Sequence, residues 1–515
     1  MMDCLSDNGR KRWSVEYHDP AFGTMERHHT LLSPVLLFVL TLAACAHQAP
    51  EPEGLPTAPA AFRETDPATR HRPAARMPDS GAWWLVFADP TLDDLIRRAN
   101  QGSFTVGLAV ARLNEARAIQ RATIAAQWPL LGLSVNVSRE EGTLTNAASS
   151  SGPLYVVGAN VSYEADLFGR LALESKAAAM STAEREELLR AAQLLVQADI
   201  AQTYFTLRGL DAERALVRGT AAAYRKTIRL TEGMVGSGLA SELSLARLRA
   251  EAESLSAEAL TLDQRRAEVE HALAVLVGET PSTFQIAPAS HSDRLPNIPP
   301  GIPGSVLVRR PDVEAARRTM IAAQMRGGVA QNRWLPTLSL TAFGGFASPT
   351  LGSLFTGEAA TSALAALLSM PIFDGGRYLA GVAKANADID AAAAVYGQQI
   401  LNALKDVEGQ LSALRLLASQ EAVLRRATEA AAHTSTLVAS NYADGLASQF
   451  ELLDAQRNEL RIHRQALAVH SSQYQATVGL IKALGGGWDV PAPTVATPAR
   501  KNAHEHKHKR WSSSH

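Results

Sequence analysis

Only two cysteines occur in 515 residues, Cys4 and Cys45, too few for a disulfide framework. Charge of one sign is also lacking: the formal net charge is −1, which excludes a basic nucleic-acid binder on electrostatic grounds. The sequence has no Gly-rich phosphate loop, no nucleophile motif and, outside its C-terminal tail, no His/Cys metal spacing. An enzyme therefore has little support, and no catalytic residue, metal or cofactor is expected. A spanning apolar helix is missing too, because the apolar run at residues 31–42 is short and carries Ser33 and Pro34. Proline is absent from residues 154–280 and again from 372–490. Those two stretches can therefore hold very long helices.

What is present is a repeat. Gly238-Leu239-Ala240-Ser241 returns as Gly445-Leu446-Ala447-Ser448, 207 positions later. The same offset carries Val106 onto Val313, Ala109 onto Ala316, Pro129 onto Pro336, Gly169-Arg170 onto Gly376-Arg377 and Gly278 onto Gly485. The unit is a whole structural half, so the chain reads as a tandem duplication with each half bent at a Gly-Leu-Ala-Ser turn.

Both proline-free stretches are dense in Ala, Leu, Glu, Gln and Arg, all good helix formers. Residues 170–235 support about 65 helical residues, roughly 100 Å at 1.5 Å per residue. The chain then turns at Gly236-Ser237-Gly238 and returns over 241–277. Residues 377–442 repeat this, turning at Gly445 and returning to Leu484. Helices of this length imply coiled-coil or tubular packing. Nearer the N-terminus, apolar spacing predicts one helix from Leu92 through Val110 and Leu113 to Ala126, ending before Trp128-Pro129.

Between these helices lie strands. Leu131, Leu133, Val135 and Val137 alternate with Gly132, Ser134, Asn136 and Ser138. Tyr155, Val157, Ala159, Val161 and Tyr163 alternate with smaller or polar residues. The second half offers Leu338, Leu340 and Ala342, then Leu364, Ala366, Leu368, Met370 and Ile372. On pattern alone these are either surface hairpins on a soluble core or a membrane barrel wall. Four strands cannot close a barrel, and an open edge is not tolerated in lipid. If they span a membrane, three chains would share twelve strands.

The N-terminal region reads as an export signal: a weakly basic stretch from Met25, the apolar run, then Leu42-Ala43-Ala44-Cys45. That ending resembles the bacterial lipobox, which implies acylation of Cys45 as the first mature residue. Ala46 rather than aspartate follows, which favours the outer membrane. Residues 1–24 are polar and unlike such a signal, pointing to a start at Met25. The expected organisation is an upstream segment and signal at 1–44 and a flexible Pro/Ala/Thr-rich tether at 45–80. A first repeat at 81–285, a linker at 286–304 and a second repeat at 305–490 follow. The tail at 491–515 carries His504, His506, His508 and His515 among lysines and reads as disordered.

Several motifs carry a family resemblance: Trp83-Trp84 with Phe87 and Asp89-Pro90; Tyr163-Glu164-Ala165-Asp166-Leu167-Phe168-Gly169-Arg170; and Arg309-Arg310-Pro311-Asp312-Val313. Further on come Pro371-Ile372-Phe373-Asp374-Gly375-Gly376-Arg377, Leu452-Leu453-Asp454-Ala455-Gln456-Arg457 and Ala483-Leu484-Gly485-Gly486-Gly487-Trp488. In order, on a duplicated frame, they resemble the TolC-like outer-membrane efflux proteins of the OprM/NodT lipoprotein type. The resemblance implies a mainly α fold of tandem-duplicated long helical hairpins forming an α-barrel tunnel. Four transmembrane strands per protomer would give a twelve-stranded barrel in a homotrimer. It also implies a lipid-anchored outer-membrane protein docking onto a periplasmic adaptor and an RND-type inner-membrane pump, with passive conduction of drugs or small toxic solutes. A periplasmic helical scaffold lipoprotein and a type I secretion channel are the alternatives.

The resemblance also names sites. Asp454 falls where the family carries a constriction aspartate, Glu451 where some members carry a second acid, and Tyr442 on a tyrosine that holds the closed gate. Gly238, Leu239 and Ser241, with Gly445, Leu446 and Ser448, would form hairpin tips that meet the adaptor. Glu451 and Asp454, three apart, share a helix face. Rings of them from three chains would repel, raise one another's pKa and attract cations. Two departures stand out: Ser244 where first-half tips often carry aspartate, and Ala447 in place of a latching arginine.

Overall fold

In the computed structural model of the protein the described residues are 54–65, 82–140, 152–289, 295–301 and 303–487. Everything below concerns residues of the unit Pro52–His515. Cys45, Trp488 and the histidines of the tail lie outside the described residues.

The first half runs α1 (Pro90–Gly102), α2 (Phe104–Ala125), β1 (Leu130–Glu140), β2 (Gly152–Ala165), α3 (Arg170–Gly236) and α4 (Glu242–Val277). The second runs α5 (Pro303–Arg309), α6 (Pro311–Asn332), β3 (Thr337–Ser348), β4 (Ala360–Ser369), α7 (Arg377–Ala443) and α8 (Gln449–Ala483). At the 207-residue offset α2 lands on α6 and α3 on α7 at both ends. Three glycines with left-handed backbone repeat as well: Gly169 and Gly376 before the long helices, Gly238 and Gly445 at their turns, and Gly278 and Gly485 after the returning helices. Each needs positive φ, which only glycine adopts at no steric cost.

The four strands form one antiparallel sheet in the order β1-β2-β3-β4. Register settles the faces. Leu133 stands opposite Ala159, Ala159 opposite Gly344, Val161 opposite Ala342 and Ala342 opposite Leu364. One face is therefore apolar across all four strands, and the other is built from Ser134, Asn136, Ser162, Thr341 and similar residues. Leu131, Leu133, Val135, Val137, Leu364 and Leu368 are all solvent-exposed in the protomer. β4 stops at Ser369, so Met370 and Ile372 lie beyond the strand, contrary to the alternation read from the sequence. Pro371 explains this: it has no N–H for the ladder and restricts the residue before it.

A second correction concerns the first helix. It breaks at Ser103, whose backbone is extended, into α1 and α2. At that point the backbone of Gly102 lies against Gly278, and a β-carbon on Gly102 would meet the Val277 carbonyl at 3.1 Å. Close backbone contact bends the chain where apolar spacing alone continues it.

The long helices pair by heptad packing. On α4 the buried positions are Leu248, Ala252, Leu255, Ala259 and Leu262; on α3 they include Val217, Ala221 and Tyr224. Steps of four and three residues place both rows on a coiled-coil seam. Each buried leucine contributes about 2 kcal/mol of apolar transfer. Farther along α3 an aromatic cluster forms the main core. Phe87, Phe205 and Tyr474 meet there, with ring centroids 4.9 Å apart for Phe87–Phe205 and 4.6 Å for Phe205–Tyr474. The Trp83 motif anchors to this core. Trp83 donates to Gln197 at 3.1 Å, and Asp89 caps α1 while accepting the Tyr204 hydroxyl at 2.6 Å. Among the described residues no helix is long and apolar enough to cross a membrane.

Candidate functional site at the paired hairpin tips

The turn between α3 and α4 and the turn between α7 and α8 share one local design. In the first, Gly238 takes φ +73° and the Leu239 N–H donates back to the Met234 carbonyl at 2.8 Å. In the second, Gly445 takes φ +75° and the Leu446 N–H donates to the Asn441 carbonyl at 2.7 Å. These are glycine C-caps of the Schellman type. Each turn then starts its returning helix with a serine N-cap. The Ser241 hydroxyl accepts the Ser244 N–H at 3.2 Å, and the Ser448 hydroxyl accepts the Glu451 N–H at 3.2 Å. Leu239 and Leu446 are left about three-quarters exposed, at 75% and 79%.

Glu451 is committed to the second tip. Its carboxylate accepts the Ser448 N–H at 2.6 Å, completing a capping box. That backbone hydrogen bond holds the Glu451 carboxyl below the usual range. Within a protomer the cap thus shifts Glu451 downward, opposite to the mutual repulsion expected of a carboxylate ring. Asp454 lies one turn further along α8 and is exposed. Tyr442, in the last turn of α7, is half-buried, and its carbonyl accepts the Gly445 N–H at 3.2 Å.

The fold brings the two tips together although they are two hundred residues apart in sequence. Gln449 donates its side-chain amide to the Ser244 carbonyl at 2.5 Å. Two turns deeper Arg457 pairs with Glu251. Seven residues beyond, Arg464 bridges Glu258 at 2.5 Å and Glu213 at 2.6 Å. Among the described residues, the ion pair between α4 and α8 nearest the tips uses Glu251, one heptad past Ser244. Sequence reasoning noted the missing aspartate at 244 but did not single out Glu251 as a partner of α8. The available signal was the shared seven-residue step of Glu251/Glu258 and Arg457/Arg464. The hydrogen bond to Glu251 raises the Arg457 guanidinium above its ordinary value, with Tyr224 and Asp454 adding to it. Asp454 thus sits beside a cation already engaged across the two hairpins.

The family motifs in the second half also have structural work. Arg310 is buried, donates to Asp312 at 2.6 Å and lies 3.2 Å from Asp406. The carboxylate of Asp374 caps α7 by accepting the Gly376 and Tyr378 N–H groups at 2.9 and 2.6 Å.

Comparison with known proteins agrees with this architecture. The family model described as outer membrane efflux protein matches residues 95–279 and again 302–486. The outer membrane protein OprJ of Pseudomonas aeruginosa is 31% identical over 481 residues, covering 91% of this chain and 97% of that protein. The probable outer membrane lipoprotein SilC of Salmonella typhimurium is 28% identical over 463 residues, covering 89% and 98%. Among solved structures, the outer-membrane channel OprN superposes with a TM-score of 0.78 at 27% identity, covering 85% of this chain and 99% of that one. The chain belongs to the outer membrane efflux protein family and is an outer-membrane component of an efflux system, built as long helical hairpins beneath a four-stranded sheet.

Proposed function

We propose that three copies of the chain close a twelve-stranded barrel in the outer membrane above a helical tunnel through which solutes leave the cell passively. The observation that carries this is the sheet. It has four strands of 10 to 14 residues, an apolar face, and two outer strands, β1 and β4, that pair on one side only. Unpaired edges are not tolerated in lipid, so β1 of one copy must meet β4 of the next. The two halves, 81–285 and 305–490 joined by the linker 286–304, then act as matching wall segments.

In this reading the paired tips are the far end of the tunnel and its gate. Exposed Leu239 and Leu446, with Gly238, Ser241, Gly445 and Ser448, present the docking rim to a periplasmic adaptor protein. Asp454 faces the constriction, with Glu451 and Tyr442 shaping it. The partner pump is of the RND type, Cys45 carries the lipid anchor, and the cargo is drugs or other small toxic solutes. The subunit performs no chemistry; it supplies a path.

Planar-bilayer conductance of the purified, acylated protein tests this. Cation-selective pores whose selectivity changes in Asp454→Ala support both the channel and its acidic constriction. Pores indifferent to that substitution remove Asp454 from the gate. Absence of pores, from folded protein with or without the adaptor, overturns the channel reading in favour of a periplasmic scaffold.

A further inference from the structure

The helices α2, α3, α6 and α7 together line a groove of about 1060 Å³ at the end of the helical body nearest the sheet. Its charges are unevenly placed. Nearest the sheet stand Arg333, the C-cap of α6, and Arg377, the first residue of α7, with Arg326 two turns deeper on α6. All three are exposed. The acids beside Arg333 and Arg377 are Glu174 and Asp374, and both are committed: Glu174 lies 3.6 Å from Arg170, and Asp374 caps α7. Glu115 and Glu184 line the groove deeper, near the level where Arg326 meets Ser181. Lys384 and Asp388, deeper in the groove, pair with each other at 2.6 Å.

The duplication shows that this surplus is specific to the second half. Arg377 is the repeat of Arg170. In the first half Arg170 is neutralised by Glu164 at 2.7 Å and by Glu174. At the same offset the second half has Pro371 and Gly381, so both acids are gone while the cation stays. Among the described residues Arg377 has no ion-pair partner, and neither does Arg333. Arg333 and Arg326 stand where the first half has Ala126 and Ile119. Arg326 makes one neutral contact, to the Ser181 hydroxyl at 2.8 Å. Helix stability does not account for Arg377 either, since a cation at the first position of a helix opposes the macrodipole.

We propose that Arg326, Arg333 and Arg377 form an anion-binding collar at the sheet-proximal end of the tunnel wall, which takes the carboxylate, sulfonate or phosphate group of a passing solute. The collar rests on the channel reading, which sets the four-helix groove inside the tunnel. Three copies would place nine guanidiniums in a band about 10 Å deep, opposite in sign to the carboxylates at the tips. Clefts lined by one sign of charge raise the local concentration of the opposite ion. Guanidinium is the side chain best suited to planar, bidentate recognition of such groups. An anionic solute would be drawn up the tunnel and held briefly before the barrel.

The test is fluorescence anisotropy of a trisulfonated pyrene dye titrated with full-length protein in detergent. The wild type is expected to bind the dye, and R326Q/R333Q/R377Q to weaken it about tenfold. Raising salt from about 0.05 to about 0.5 M should weaken wild-type binding comparably. The three side chains are exposed, so circular dichroism is expected to be unchanged. Equal affinity of wild type and triple variant, or equal binding of a cationic dye, overturns the collar. Dye binding lost in the variant without bilayer pores in the wild type would instead count against the channel alone.

Discussion

Gly278 rests its bare α-carbon on the carbonyl group of Gly102: a β-carbon there would lie 2.2 Å from that oxygen. Gly485 repeats the contact in the second half, where an added β-carbon would lie 3.0 Å from the carbonyl oxygen of Arg309. Both glycines carry positive φ, +89° and +85°. The contact ties the end of each returning helix to the break that starts the next wall helix. Gly278→Ala would add left-handed strain to a backbone clash, at a cost of about 3 kcal/mol. Gly485→Ala meets the milder contact and should cost less. Thermal unfolding of the two variants should rank them in that order; equal midpoints would show that strain, not the close approach, dominates.

The pair Arg457–Glu251 holds the two tips of a protomer side by side. Its side chains are 57% and 18% exposed, so its direct contribution to stability is within about 1 kcal/mol. Its effect should appear in conductance. Arg457→Ala should raise open probability severalfold with little change in melting temperature. The charge exchange R457E/E251R should return conductance toward wild type. Unchanged conductance in the single variant would remove the pair from the gate.

The capping box at Ser448 and Glu451 makes the second tip sensitive to acid. The Glu451 carboxyl is held below its ordinary value of 4.5 by the Ser448 N–H. Its contribution is therefore fully present above that value and is lost as pH falls through the lower folded-state value. Hydrogen exchange at residues 449–452, corrected for intrinsic rates, should accelerate as pH drops below about 4.5. Glu451→Ala should exchange fast at neutral pH and show no acid step. A persistent step would assign it to another group.

The sheet assigns adjacent residues to opposite environments. Leu133 belongs to the apolar face and Ser134 to the small polar face. Arginine on a lipid-facing strand position costs about 2–4 kcal/mol at the bilayer midplane. Leu133→Arg should cut the amount of protein recovered in outer-membrane fractions, whereas Ser134→Arg should leave it near wild type. The reverse pattern would invert the barrel.

Much of this architecture is local and was legible in the sequence. A constant offset marks duplicated halves, because insertions would shift a helical wall out of step. Freedom from proline and good helix formers set the lengths of α3 and α7, and alternation in residues 131–137 set a strand and its two faces. The serine caps and positive-φ glycines at the tips follow from turn chemistry. What depended on tertiary structure was which segments lie side by side. The break at Ser103 exists because Gly278 packs on Gly102, and no pattern within 92–126 encodes a contact that far away. The pairing of Arg457 with Glu251 needed the axial register of α4 against α8. Glu451 read as a ring carboxylate, yet within the protomer it closes a cap, because its own helix terminus offers a free N–H closer than any neighbour. Arg377 read as half of a repeated Gly-Arg motif. Only the ion pairs around Arg170 show that its copy has lost both counter-charges.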